Sequence, residues 1–133
     1  METVIETLQD DGRFNRFLKA VFTTNFWEIL EGKGPFTVLA PLDASFDNLP
    51  DDVWEQLLKD KSRLTDIVSQ HIAIGNLSVA DLEEMDEFKN MNNMGLAIEK
   101  HNEGLIIGSA KIVEGDIFCA NGIIHAIDFV LIS

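Results

Sequence analysis

Residues 121–132 read NGIIHAIDFVLI, and residues 37–50 read TVLAPLDASFDNLP. In the first stretch, Ile123, Ile127, Phe129 and Leu131 fall on one side of an extended chain. Ile124, Ala126, Val130 and Ile132 fall on the other. Apolar residues on both sides predict a strand covered on both faces, hence a central one. The second stretch opens with a β-branched and aromatic run, Phe36 to Ala40, which predicts a short strand closed by Pro41. Asp43 suits an N-cap after it, with Phe46 and Leu49 turned toward a core.

Upstream, Phe14, Phe17, Leu18, Val21 and Phe22 recur at helical spacing and predict one buried helix face. Phe26, Trp27, Ile29 and Leu30 continue as a shorter helix, stopped at Gly32-Lys33-Gly34-Pro35. Pro50-Asp51-Asp52 opens another helix, with acids where the dipole favours them. Ser62 is a candidate cap for a third, in which Leu64, Ile67, Val68 and His71 share a face. After Gly75 the pattern turns to period two. Asn92 to Gly95, Asn102 to Gly104 and Glu114 to Asp116 read as turns between strands. Helices first and antiparallel strands later is an α+β order.

Composition narrows function by exclusion. The chain has 133 residues and a net charge of −13, with 23 acidic against 10 basic side chains. Phosphate backbones and anionic lipid surfaces repel such a chain, which argues against nucleic-acid partners and membrane-surface binding. No run of about 18 apolar residues suggests membrane insertion, and no basic segment followed by an apolar run marks a leader. The single Cys119, in the run IFCA, reads as a small buried hydrophobe and admits no intramolecular disulfide.

Four motifs in one order resemble the fasciclin domain family. They are Ala40-Pro41 with Phe46 and Leu49-Pro50; Gln70-His71-Ile72; Gly108-Ser109-Ala110 before the strand Lys111 to Val113; and Asn121 to Asp128. The resemblance covers residues 1–133 as a single domain. The chain departs from the family pattern at Leu42, where threonine is common, and at Gln70, where tyrosine is common. The resemblance implies an α+β wedge of two antiparallel β-sheets with N-terminal helices packed along it. It implies an extracellular, periplasmic or cell-surface adhesion or protein-interaction module, with a cell-surface or matrix protein as partner, no cofactor and no enzymatic activity. In animal relatives an Asp-Ile pair before the last motif belongs to an integrin-binding stretch, and Asp116 and Ile117 occupy those positions. His71, with Val68, Ile72 and Ile74 around it, lies in a second such stretch. Pro41, Phe46, His71, Gly122, His125 and Asp128 are the structural positions of the motifs.

The polar residues themselves favour structure over chemistry. His71 and His125 each sit among apolar neighbours and read as buried, hydrogen-bonded side chains. Asp128 falls on the opposite strand face from His125, a poor geometry for a His-Asp pair. Asp43 and Asp47 are one helical turn apart, and capping explains them without acid–base catalysis. The three histidines lack metal-ligand spacing, and no calcium-loop pattern occurs. Asn76-Leu77-Ser78 is a glycosylation sequon at Asn76. The alternative to adhesion is small-ligand binding or catalysis in a cleft between helices and wedge, which requires a sizeable apolar cavity with convergent polar groups.

Overall fold

The computed structural model of the chain describes residues 1–132, apart from the side chain of Asn48. Three helices open it. α1 (Val4–Asp11) begins at a capping box, in which Thr3 and Glu6 satisfy each other's backbone N–H, and Gly12 at φ +83° ends it. α2 (Asn15–Thr23) buries Phe17, Leu18, Ala20 and Val21, whereas Phe22, expected on the same face, is 40% exposed. It sits at the margin of that face and meets the Trp27 ring at 6.3 Å instead. α3 (Phe26–Leu30) follows a reversal at Asn25, whose φ of +65° an asparagine tolerates.

β1 (Phe36–Pro41) is buried throughout and leads into a 3-10 helix, Asp43–Asn48. α4 (Asp51–Lys59) and α5 (Lys61–Gln70) complete the helical layer. The cap of α5 is Asp60, whose carboxylate accepts from the Arg63 N–H, and not the expected Ser62. The predicted face of α5 is present, since Leu64, Ile67, Val68 and His71 are all buried.

The remaining elements are β2 (Ile72–Ile74), α6 (Val79–Glu83), β3 (Glu87–Lys89), β4 (Gly95–His101), β5 (Gly104–Ile107), β6 (Ala110–Cys119) and β7 (Gly122–Ile127). Their order across the sheet is β2-β1-β7-β6-β5-β4-β3. The α+β layout expected from the sequence is therefore present. Its strands form one continuous sheet, and the β1–β7 pair is parallel, with Phe36 beside Gly122 and Leu39 beside His125. The Met91 N–H just after β3 donates to the Ile72 carbonyl of β2 at 2.8 Å, so the two sheet edges are drawn together.

β7 is central and buried along its whole length, as predicted. It stops at Ile127, however, and Phe129 is 39% exposed. Glu114 to Asp116 is not a turn. It lies inside β6, where the register against β7 slips twice, between Ile112 and Glu114 and between Glu114 and Ile117. Such bulges bend a strand and re-aim its side chains.

Two apolar cores result. One fills the space between helices and sheet, with Leu8, Phe14, Phe17, Leu64, Ile72 and Ile124 fully buried in it. The other lies inside the curl of the sheet and is closed by Leu82 of α6 against Leu39, Phe88, Ile107 and Ile127.

Candidate functional site

The two motif histidines lie on opposite cores. His71 ends α5, is 1% exposed and packs 5.7 Å from the Phe17 ring. Its Nε2 faces the Leu131 N–H at 2.9 Å and must accept, so the proton sits on Nδ1 and is donated to the Ile67 carbonyl at 2.7 Å. Burial pushes its pKa down to about 4. This residue offers no surface to a partner. It joins the last turn of α5 to the chain that follows β7.

His125 is fully buried in β7. The Asp116 N–H donates to its Nδ1 at 3.1 Å, and its Nε2–H is donated to the Leu77 carbonyl at 2.7 Å. Burial lowers its pKa, against the pull of the Leu77 carbonyl and the nearby Asp116 carboxylate. Asp128 turns away, accepting from the Lys111 N–H at 2.8 Å, so His125 and Asp128 are not brought together.

Asp116 adopts φ +58°, a left-handed conformation that aspartate tolerates. Its carboxylate accepts from the Val79 N–H at 2.8 Å, at the first turn of α6. Ile117 is half-buried and packs against the helix-side core. The Asp116–Ile117 pair is therefore engaged within the domain, and the apolar side chain displayed beside it is Phe118, 59% exposed.

Asp43 caps, but not its own helix. Its Oδ1 accepts from the Arg16 N–H at 2.8 Å, supplying the cap that Phe14 cannot give α2. Its backbone N–H donates to the Arg13 carbonyl, and its other carboxylate oxygen takes the Asn15 amide. Asp47 instead pairs at 3.6 Å with Arg16, so the two carboxylates share no site. Phe46 is buried with its ring 4.7 Å from that of Trp54, and Pro41 lines the same region.

Asn121 and Gly122 fix the start of β7. The Asn121 carboxamide accepts from the Val4 N–H at 2.9 Å and donates to the Leu30 and Gly32 carbonyls, tying α1 and α3 to the sheet. A Cβ at Gly122 would lie against the Phe36 carbonyl oxygen, so the parallel strands can approach only with glycine there. Three supporting residues were not singled out from the sequence. Thr37 accepts the Leu77 N–H and donates to the Gly75 carbonyl, Ser45 donates to the Ile127 carbonyl, and Ser78 shares a capping box with Asp81. Of these, only Ser78-x-x-Asp81 carried a legible signal. Asn76, of the sequon, is exposed in the loop before α6.

The space between helices and sheet is filled. Phe17, Phe46, Trp54, Leu64 and His71 enclose a void of about 10 Å³. The larger hollow is an open groove of about 530 Å³ between α6 and strands β4–β6, with Val79, Leu105 and Ile112 along it and Glu83, Glu84, Lys100 and His101 at its rims. Among the described residues no three His, Cys, Asp or Glu side chains are grouped to hold a metal ion. Cys119 is buried and its thiol pKa is raised by that burial. No helix among the described residues is long and apolar enough to cross a membrane.

A curled sheet, a helical layer and two motifs locked by backbone-directed polar residues define an α+β domain of one particular kind. The fasciclin domain model matches residues 12–133, and the chain belongs to the fasciclin domain family. It is similar to an uncharacterised protein of Synechocystis sp., sll1735, at 33% identity over 132 residues, covering 99% of this chain and 98% of that protein. It is also similar to rabbit transforming growth factor-beta-induced protein ig-h3, at 28% identity over 97% of this chain and 19% of that protein. Human periostin matches at 27% identity over 95% of this chain and 15% of its own length. The chain thus spans nearly all of the first relative and less than a fifth of the other two. Among solved structures, a FAS1 domain pair from the insect cell adhesion molecule Fasciclin I aligns with a TM-score of 0.88 at 20% identity, over all of this chain and 51% of that one.

Proposed function

We propose that the domain is an adhesion or protein-interaction module, displayed outside the cell, in the periplasm or on the cell surface, and that it works without catalysis. The observation that carries this reading is the filled interior. A void of about 10 Å³ between helices and sheet admits no ligand, and each motif side chain there is spent on a backbone group or on packing. Function then falls to the outer surface. The cell adhesion molecule in the structural match, and the family as a whole, support the same direction.

The partner, on this reading, is a cell-surface or matrix protein that meets the β6 stretch Asp116 to Phe118. Phe118 supplies the exposed apolar anchor and the Asp116 backbone holds the strand bulged beneath it. Whole-cell adhesion to surfaces coated with the domain tests it. Adhesion above a protein-blocked control, reduced by Phe118→Ala with an unchanged thermal melt, is the expected result. Equal adhesion by both proteins would remove β6 as the contact, and no adhesion by wild type would contradict the function.

A further inference from the structure

α6 has five residues, too few to hold a helix by itself. Its apolar anchor is Leu82, fully buried in the inner core, with Val79 half-buried beside it. Thr37 of β1 holds residues 75 and 77 before the helix, and the polar tether of the helix start itself converges on one ring. His125 donates from Nε2 to the Leu77 carbonyl, just before the helix, and accepts at Nδ1 from the Asp116 N–H. Asp116 in turn takes the Val79 N–H on its carboxylate. Gly115 lets these groups close up, because a Cβ there would run into Val79 Cγ2 and lie 3.3 Å from His125 Nδ1.

Both ring nitrogens are therefore committed, one as donor and one as acceptor. A second proton places an N–H at Nδ1, pointing at the Asp116 N–H, and two donors cannot share that contact. The groups facing the ring from each side are few. β6 brings the Asp116 carboxylate, and β1 brings Leu39 in register. The α6 segment brings Leu77 and, across Gly115, Val79, while the Asp81 carboxylate of that helix is taken by the Ser78 N–H. The anion that a protonated ring meets is thus Asp116, whose Oδ1 now holds Val79.

We propose that His125 is an acid-operated latch: when its ring takes a proton from solvent, it exchanges the Asp116 N–H for the Asp116 carboxylate, the Val79 N–H loses its acceptor, and α6 is released from β6 while Leu77 stays on Nε2–H. The groove of about 530 Å³ between α6 and β4–β6 widens as a result. His71 has no such carboxylate beside it to receive a charged ring, so the helical half of the domain has no equivalent exchange. Release of a short element by histidine protonation is a local charge event with a wider readout, the form that pH switches take.

Amide hydrogen exchange, corrected for intrinsic rates, reads the latch as the pH is lowered stepwise from 7.5. The reporters are Val79, Leu82, Glu84 and Met85, whose N–H groups are bonded in or beside α6. The reference is Trp27 and Trp54 emission, both on the helical side. Protection at the four amides should fall at least tenfold on acidification while tryptophan emission stays constant. Asp116→Asn keeps an oxygen for Val79 and tolerates φ +58°, but removes the anion that favours the charged ring, so the midpoint should move to lower pH. His125→Gln, if it folds, should show no acid response. Loss of protection only together with the tryptophan change would overturn the proposal. So would an unmoved midpoint in Asp116→Asn, or abolition of the transition there, which would make the carboxylate the titrating group.

Discussion

The Leu131 backbone N–H donates to Nε2 of His71 across 60 positions of sequence, at 2.9 Å, in a site closed to solvent. That one bond fastens the segment after the last strand to the helical layer. His71→Ala leaves the Leu131 N–H and the Ile67 carbonyl without their partner, and a buried unpaired group costs roughly 1–3 kcal/mol. Urea melts should show a loss of this size, and an unchanged midpoint would refute the structural role.

Phe46 is 3% exposed, and its ring meets Trp54 at 4.7 Å. Phe46→Ala should destabilise by about 3–5 kcal/mol through the cavity it leaves. Trp54 emission should shift toward that of a wetter ring in the same variant. A melt like that of wild type would place the 3-10 helix outside the core.

Gly122 lies so close to Phe36 that an added Cβ has only backbone to push against. Gly122→Ala should cost on the order of 1–3 kcal/mol, or more if β1 and β7 separate. Thermal melts measure it, and a neutral result would contradict the parallel register.

Acid should weaken the domain in a defined window. The folded-state pKa of His71 is lowered, from 6.5 to about 4, so folded and unfolded chains are both neutral at this ring above about pH 6.5 and stability is full there. As pH falls below 6.5, the unfolded chain takes a proton that the folded one refuses, and stability is lost until about pH 4. The single ring accounts for roughly 3 kcal/mol over that span. His125, also lowered, acts in the same direction. Urea midpoints at pH 7.5, 5.5 and 4 should fall in wild type and fall less in His71→Gln. Parallel slopes would remove His71 from the acid response.

Much of this architecture was legible because its signals are periodic. Leu64, Ile67, Val68 and His71 marked a helix face, and the two-sided apolar run after Asn121 marked a central strand. What escaped was either short or non-local. α6 is too brief for a period to show, and its one sequence signal, Ser78-x-x-Asp81, shares Ser78 with the Asn76 sequon. Glu114 to Asp116 has turn composition, but the residue types that make turns also make bulges. Only the packing of Gly115 against Val79 and His125 decides between them. Asp43 has the identity of a cap, and sequence cannot tell that the helix it caps starts 28 positions earlier, beside Asn15. The parallel β1–β7 pair joins residues from opposite ends of the chain and leaves no local trace.

The central claim is that the motif histidines hold the fold while the surface meets the partner. Cell adhesion to domain-coated surfaces, comparing wild type with His71→Gln that remains folded by circular dichroism at pH 7.5, tests it most directly. Glutamine can accept from Leu131 and donate to Ile67 without an imidazole, and His71 is 1% exposed. The account predicts equal adhesion by the two proteins. Loss of adhesion by a folded His71→Gln domain would contradict it, because a buried side chain with only internal partners would then be acting at the contact.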